Sequence, residues 1–224
     1  MFIKTVAITG ANGGIGKAIA MMFAIAKEGY ELVLTYERDI EGMEVTKNEL
    51  ISLGASSVKI YRLNLKDDSS IKHFVNSATK DVGFFDILIN NAGLCVKKKF
   101  SEQNFIEIDN QIKVNFEGAV KLLHECLPFI KSTVINIGAK SLFEHSLNMA
   151  IFNATKSALR EFTKSLLKEH EGLKFYTINP DLVATKSTQY EGREPIEVAL
   201  VVKKIVFGEI VLENGSDINV WEYI

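Results

Sequence analysis

The sequence predicts a single α/β domain, a mostly parallel sheet of about seven strands with helices on both faces. Short β-branched segments alternate with amphipathic helical segments along the chain, which is typical of strand–helix–strand crossovers. A glycine-rich turn directly follows the first strand segment. The 224 residues are 47% hydrophobic and 24% charged, which suits a sizeable core, and no linker divides them. We therefore take residues 1–224 as one domain.

Hydrophobic periodicity and turn residues place the individual elements. The predicted strands are residues 4–9, 31–35, 58–62, 85–90, 133–137, 174–178 and 217–222. The predicted helices are residues 15–26, 40–53, 68–82, 101–130, 149–170 and 195–206. Pro128 is expected to bend or end the fourth of these helices. Residues 181–194 are polar and are expected to be irregular.

The glycine-rich turn, Thr-Gly-Ala-Asn-Gly-Gly-Ile-Gly at residues 9–16, lies between a strand and a helix. This context is typical of a dinucleotide site. Glycines let the backbone come close to a pyrophosphate, and the helix N-terminus offers free N–H groups and the positive end of its dipole.

The segment after the second strand is where such sites recognise ribose. A carboxylate there favours NAD, and a cation there tolerates the 2′-phosphate of NADP. The chain offers both, Glu37 and Arg38, with Lys17 near the glycine turn. The sequence leaves the choice of cofactor open.

Composition argues against several classes of function. A net charge of −2 and a pI of about 6.1 give no reason to expect nucleic-acid or membrane binding. The two cysteines, Cys95 and Cys126, are too few for a disulfide framework. The four histidines show no metal-ligand spacing, so we expect no metal site. With no signal peptide and no apolar run of membrane-spanning length, we expect a cytoplasmic protein.

The motifs together resemble the short-chain dehydrogenase/reductases, in the branch of ketoacyl and small-carbonyl reductases. The glycine turn is followed in order by Asn-Asn-Ala-Gly at 90–93, Val-Asn at 114–115, a lysine at 156, Asn-Pro at 179–180 and Thr185. The resemblance implies a seven-stranded Rossmann sheet, bound NAD(P)(H), a small-molecule substrate, and a homodimer or homotetramer.

The resemblance also implies roles for individual residues. Lys156 would bind the nicotinamide ribose and lower the pKa of a neighbouring tyrosine, and Asn115 would hold a water in a proton relay. Asn64 and Leu65 would contact adenine, with Asn64 where aspartate is commoner. The remaining implied cofactor contacts are Gly10, Asn12, Gly13, Gly14, Ile15, Gly16, Glu37, Arg38, Asn91, Ala92, Gly93, Pro180, Val183 and Thr185.

Three positions depart from the family pattern. Phe152 stands where the catalytic tyrosine is expected, and Ala139, thirteen positions earlier, stands where the catalytic serine is expected. Asp181 replaces a glycine. Because this third change, and Gly138 beside Ala139, are not changes an experimenter would choose, natural divergence is favoured over an engineered pair.

Phenylalanine has no proton to give to the oxygen of a carbonyl that accepts a hydride. General acid catalysis is commonly worth about 10²–10⁴ in rate, so the sequence predicts little or no ordinary carbonyl reduction. Four residues are candidate substitutes, although each is more typical of a surface or structural residue: Ser141, His145, Tyr176 and Tyr190.

Three hypotheses follow. The first is a family oxidoreductase with weak or altered catalysis. The second is a non-catalytic member that senses the cofactor or binds a partner. The third is non-redox chemistry, an elimination or isomerisation, that uses His145 or Asp181.

Overall fold

Seven strands form one parallel sheet in the computed structural model, which describes residues 3–26 and 29–224. Their order across the sheet is β3-β2-β1-β4-β5-β6-β7. The strands are β1 (Lys4–Ile8), β2 (Tyr30–Tyr36), β3 (Ser57–Arg62), β4 (Phe85–Asn90), β5 (Ile130–Ile137), β6 (Lys174–Asn179) and β7 (Asp217–Asn219). The predicted fold class is confirmed.

Helices cover both faces of this sheet. They are α1 (Gly14–Ala24), α2 (Ile40–Ser52), α3 (Asp68–Val82), α4 (Phe105–Ile112), α5 (Gly118–Cys126), α6 (Ser141–Glu144), α7 (Ala150–Leu166) and α8 (Pro195–Val206). Side-chain caps begin α2 and α3, where Asp39 accepts from the Gly42 N–H and Asp67 accepts from the Ser69 N–H.

Successive residues of the central strands enter two separate cores, because strand side chains alternate between the faces of a sheet. Ile8 and Leu34 pack in the core that includes α1 and α8. Ala7 and Val33 pack in the core that includes α3 and α5. Burial on both faces explains why the central strands are mostly apolar, as parallel strands usually are.

The predicted helix over residues 101–130 is wrong in its extent. Asn104 and Glu107 form a reciprocal capping box that starts α4 only at Phe105. A π-helical turn, Lys113–Glu117, then separates α4 from α5, and a 3₁₀ turn with Pro128 ends the helical region. The side chain of Phe105, at the start of α4, is 85% exposed.

Smaller differences concern element ends. β5 begins at Ile130, and the last strand ends at Asn219, where a 3₁₀ turn (Val220–Glu222) replaces its predicted second half. The predicted helix over 149–170 is α7, which ends at Leu166. The predicted irregular segment 181–194 contains a 3₁₀ turn, Lys186–Thr188, and a bridge between Val183 and Arg193.

The order of the strands creates the crevice in which such sheets bind ligands. The chain moves outward from β1 to β3 and then returns to place β4 on the other side of β1. Ligands of open α/β sheets bind beyond the carboxyl ends of the strands at this reversal. The glycine turn after β1 and the Asn-Asn-Ala-Gly segment at the end of β4 meet there.

Candidate functional site

The glycine turn is held in a shape that only glycine accommodates. Gly14 has a φ of 51°, in the left-handed region, and the methyl group of Thr185 lies where a side chain would begin. A Cβ at Gly16 would lie 2.4 Å from the Gly10 carbonyl oxygen and 2.6 Å from the Asn91 amide nitrogen. These glycines are therefore required by the packing of the turn itself.

The N-terminus of α1 has the properties of an anion site. Gly13 is its N-cap, and within the described residues no side chain caps the helix and no acidic residue lies in its first turn. The first N–H groups of a helix have no intrahelical partner. A Cβ at Gly13 would meet no atom within 4 Å, so the approach to these donors is open. A pyrophosphate fits this arrangement.

The Asn-Asn-Ala-Gly segment holds the turn in place through Thr9. The backbone N–H groups of Asn91 and Ala92 both donate to the Thr9 hydroxyl, at 3.0 and 2.9 Å. The Asn91 side-chain amide donates to the carbonyl oxygens of Thr9 and Gly10, at 2.9 and 3.1 Å. Asn91 therefore acts on the backbone of the turn. The sequence did not indicate this role.

The ribose end of the site is more positively charged than the sequence suggested. The Glu37 carboxylate lies 3.5 Å from the Arg38 guanidinium and 3.8 Å from the Lys66 ammonium. Arg62 donates to the Glu37 carbonyl oxygen at 3.3 Å. Lys17, the third candidate, pairs instead with Glu49 on α2 at 2.6 Å. Two cations thus lie within 4 Å of the Glu37 carboxylate, and Arg62 adds a third positive charge at the Glu37 backbone. Neither Arg62 nor Lys66 was among the predicted ribose residues.

The expected adenine contacts lie in the turn after β3. The Asn64 side chain accepts from the Lys66 N–H at 3.1 Å, and the Asn64 N–H donates to Ser70 at 2.9 Å. Leu65 is buried, and its carbonyl oxygen lies against Gly118 of α5. Asn64 thus has a structural role in this turn.

Asn115 lies in the π-helical turn between α4 and α5 and is buried. Its side-chain oxygen accepts from the Leu94 N–H at 2.7 Å, and its amide donates to the Leu94 carbonyl oxygen at 2.8 Å and to Thr155 at 3.1 Å. The side chain therefore ties the segment after β4 to α7.

Lys156 is buried on α7, with 4% of its surface exposed. Its ammonium donates to the Ile137 carbonyl oxygen at 2.7 Å, at the end of β5. Burial lowers the pKa of Lys156 to about 8, because a desolvated ammonium is destabilised. A lysine solvated on the helix surface does not fit this position.

Phe152 lies one helical turn before Lys156, and its ring centroid is 5.8 Å from the Lys156 ammonium. Ala139 lies between β5 and α6, in a turn where the Lys140 N–H donates to the Pro180 carbonyl oxygen at 2.7 Å. Neither residue carries a group that exchanges protons. The elements that bring Lys156 and Asn115 together therefore surround a centre without a hydroxyl at these two positions.

The four candidate substitutes have other surroundings. Ser141 donates to the Asn153 side chain at 2.7 Å. Tyr176 is buried in the sheet, where burial raises its pKa, and Tyr190 is 73% exposed. His145 is exposed and ends α6 in a left-handed conformation.

The segment after β6 is more ordered than its polar sequence suggested. Asp181, the departure from the family glycine, accepts from Arg193 at 2.6 Å, and Arg193 also pairs with Glu197 at 3.0 Å. Thr188 donates to the Val183 carbonyl oxygen at 2.6 Å. These bonds fold residues 181–194 into a closed loop whose Thr185 methyl group lies against Gly14.

A surface cavity of about 480 Å³ lies beside this centre, between the loop after α6 and one side of α7. Neither Phe152 nor Lys156 lines it. Its lining residues are Leu142, His145, Ser146, Leu147, Asn148, Ala150, Asn153, Ala154 and Ser157.

Among residues 3–26 and 29–224, no group of three or more histidine, cysteine or acidic side chains is placed to hold a metal ion. No helix there has both the length and the apolar composition to cross a membrane.

Comparisons with known proteins agree with this geometry. A family model described as short chain dehydrogenase matches residues 4–195. An uncharacterized oxidoreductase of Staphylococcus epidermidis is 28% identical, over 98% of this chain and 95% of that protein. The NADP-dependent 3-hydroxy acid dehydrogenase of Schizosaccharomyces pombe is 29% identical, over 94% and 88%. An alcohol dehydrogenase from Thermococcus sibiricus, solved with 5-hydroxy-NADP, has the same fold, with a TM-score of 0.86, 24% identity and coverage of 97% and 94%.

Proposed function

The chain belongs to the short-chain dehydrogenase family, and on this premise we propose that it binds NAD(P)(H) and is an oxidoreductase with weak or altered carbonyl chemistry. The proposal rests on one contrast. The N-terminus of α1 is uncapped and open at Gly13, whereas positions 139 and 152 carry no hydroxyl. The bound cofactor would supply or accept a hydride.

The residues of the chain suit the parts of this cofactor. The N–H groups at the start of α1 would bind the pyrophosphate. Lys156, beneath Gly93, would bind the nicotinamide ribose. Glu37, Arg38 and Lys66 would lie at the adenine ribose, with Asn64 and Leu65 at the base.

We further propose that NADP(H) is preferred. A lone carboxylate at the ribose would repel a 2′-phosphate, but the Glu37 carboxylate has Arg38 and Lys66 within 4 Å. Arg62 adds a third positive charge at the same strand ends. Arginine suits phosphate well because its planar group donates two parallel hydrogen bonds. The NADP dependence in the name of the yeast relative supports this preference.

The test is single-turnover hydride transfer, followed by stopped-flow NADPH absorbance against a carbonyl panel. The wild-type protein should react slowly, and the Phe152→Tyr, Ala139→Ser double variant about 10²–10⁴-fold faster, because it regains the acid and the oxyanion donor. Phe152→Leu serves as a control that changes the ring without adding a proton. A double variant that transfers no hydride would contradict the proposal.

A second candidate is a non-catalytic member that senses the cofactor or binds a partner, and the same two hydroxyl-free positions favour it. Turnover at enzyme-like rates by the unmodified chain would exclude it. Non-redox chemistry has less support, because Asp181 is paired with Arg193.

Assembly and location stay predictions. We propose that two or four copies associate, as the family resemblance implies. The exposed Phe105 and Ile106, at 85% and 73%, leave apolar surface on α4 for such a contact. Light scattering coupled to size exclusion would give a mass of one chain if this is wrong. A cytoplasmic location is tested by fractionating cells.

A further inference from the structure

The ammonium of Lys156 has proton-donating capacity that the fold does not use. A lysine carries three N–H donors, and one of them is accounted for by the Ile137 carbonyl oxygen at 2.7 Å. Within the part of the chain that the structure describes, no carboxylate forms an ion pair with it. A buried charge without a counter-ion is unusual, so its retention calls for an explanation beyond folding.

The ammonium lies close to Gly93, an exposed glycine in the segment after β4. Gly93 is exposed, and a Cβ there would lie 3.4 Å from the Lys156 nitrogen and 3.5 Å from the Asn115 side-chain oxygen. The Phe152 ring forms an apolar wall on another side, with its centroid 5.8 Å away. The ammonium is thus buried, but it lies close to the exposed backbone at Gly93. A larger residue at position 93 would cover the ammonium further.

Nearby polar groups are committed to other partners. The Asn115 side chain bonds Leu94 and Thr155, and Ser141 bonds Asn153. The Thr155 hydroxyl donates to the Phe152 carbonyl oxygen at 2.7 Å. Apart from the Cys95 thiol, whose pKa is raised by burial, these bonds leave the Lys156 ammonium as the available acid beside positions 152 and 93.

We propose that Lys156 itself delivers the proton to the oxygen of a bound carbonyl, in place of the phenol that this site lacks. The proposal rests on the proposed function, in which bound NAD(P)H supplies the hydride. One N–H bond of the ammonium breaks, its proton joins the oxygen as the carbonyl carbon accepts the hydride, and a neutral amine remains. That amine regains a proton from water after the alcohol leaves.

The charges around Lys156 suit this role. Burial lowers its pKa to about 8. A general acid works best when its pKa lies close to the operating pH, so this value suits proton donation near neutral pH. The titratable group that faces it from the segment after β4 is the Cys95 thiol, whose own pKa is raised by burial. The other packed elements contribute uncharged groups: the Ile137 carbonyl, the Asn115 amide and the Phe152 ring.

The first test needs no substrate and no cofactor. Protein labelled with ¹³C at the lysine Cε is titrated by NMR from pH 6 to 11, and the Lys156 signal is assigned by its loss in Lys156→Arg. We expect a midpoint near pH 8 for this signal, against about 10.4 for unperturbed lysines. A midpoint above about 10 would overturn the proposal, because such an ammonium is a poor acid at neutral pH.

The second test separates proton delivery from ribose binding. Lys156→Arg keeps a positive charge and hydrogen-bond donors, but arginine does not release its proton in this pH range. With 9,10-phenanthrenequinone and ethyl acetoacetate as probes, we expect hydride transfer to slow at least about 100-fold. Calorimetric affinity for NADPH should change less than about 5-fold. In the wild-type protein, the rate should fall as pH rises through about 8.

Adding Phe152→Tyr to Lys156→Arg should restore part of the rate, because a phenol then supplies the proton. The proposal is overturned if Lys156→Arg is as fast as the wild type. It is also overturned if the wild-type protein binds NADPH but reduces neither probe at any pH. A protein that fails to bind NADPH in the calorimetry would instead overturn the proposed function, and the NMR midpoint would still be read independently.

Discussion

The two ends of the crevice differ in what holds them together. At the glycine turn, side chains bond the backbone: the N–H groups of Asn91 and Ala92 donate to the Thr9 hydroxyl, the Asn91 amide donates to backbone carbonyls, and Gly16 has no room for a Cβ. At the Lys156 end the frame is as tightly bonded, through Asn115 and Lys156, but positions 139 and 152 carry no hydroxyl. The geometry of this end is therefore held by residues other than those at positions 139 and 152.

The comparison also shows why the frame persists. A methyl group at position 16 would disturb the turn, because the Gly10 carbonyl oxygen and the Asn91 amide occupy the space that this methyl group needs. Phe152 is half-buried in the first turn of α7, and the helix forms without a hydroxyl at this position. Substitution of Gly16 would therefore disturb the fold, whereas α7 forms with phenylalanine at position 152.

The largest effect that sharpens this contrast is expected from Gly16→Ala. Its Cβ would meet backbone and side-chain atoms at 2.4 and 2.6 Å, so we expect about 1–3 kcal/mol lower stability and about 10–100-fold weaker NADPH binding. Urea unfolding and calorimetry measure the two effects.

Gly13→Ala is the matched variant, because a Cβ at Gly13 meets no atom within 4 Å and the backbone there is extended. It should leave stability within about 0.5 kcal/mol and weaken NADPH binding alone. Gly172→Ala, in an open loop position, should change neither quantity. Equal stability of Gly16→Ala and the wild type would contradict the account of the turn.

The next effect concerns the buried ammonium. The pKa of Lys156 is about 8 when folded and near 10.5 when unfolded, so between these values the unfolded chain binds more protons and stability rises with pH. Stability measured as wild type minus Lys156→Met should therefore increase by about 2–3 kcal/mol from pH 7 to 10.5. Urea unfolding at both pH values tests this, with Lys168→Met, at an exposed position, as control. A difference that does not change with pH would show that Lys156 is solvated.

A smaller effect is expected at the adenine ribose. Replacing both Arg38 and Lys66 by alanine removes two partly exposed cations beside Glu37. NADPH affinity should fall about 10-fold while NADH affinity stays within about 2-fold. Calorimetry with both cofactors measures the two affinities. Lys17→Ala removes a cation that pairs with Glu49 and serves as the control for the loss of positive charge. An equal loss for both cofactors would refute the 2′-phosphate assignment.

The smallest effect is expected from Ser141→Ala. Ser141 donates to Asn153 at 2.7 Å, so its loss should cost about 1 kcal/mol of stability and change hydride transfer less than about 2-fold. Stopped-flow kinetics and urea unfolding give the two values. A rate loss above about 10-fold would identify Ser141 as a hydroxyl donor in the reaction. It would contradict the description of this end of the crevice as one without a reacting hydroxyl.

Most of the fold was predictable because strand and helix periods are local properties of the sequence. The extent of α4 was not, because the Asn104–Glu107 capping box and the π turn at Asn115 depend on contacts with Leu94 and Thr155, which lie elsewhere in the chain. The end of β5 was predicted, but its start at Ile130 was hidden by Pro128 and its neighbours, which look helical.

The candidate site was predictable where motifs are contiguous, and much less so where distant segments meet. The positive charge around Glu37 depends on Lys66 and Arg62. The pairing of β2 with β3 brings these two residues close to Glu37. The ion pair between Asp181 and Arg193 depends on the folding of the loop after β6. The departures at 139 and 152, by contrast, were visible from spacing alone.

The central claim is that a working cofactor site persists beside a centre that has lost its usual acid. Calorimetric titration of the unmodified protein with NADPH and with NADH tests it most directly. The account predicts micromolar binding of NADPH and weaker binding of NADH. Absence of binding by either cofactor would contradict it, since the open N-terminus of α1 and the buried Lys156 would then have no ligand to explain them.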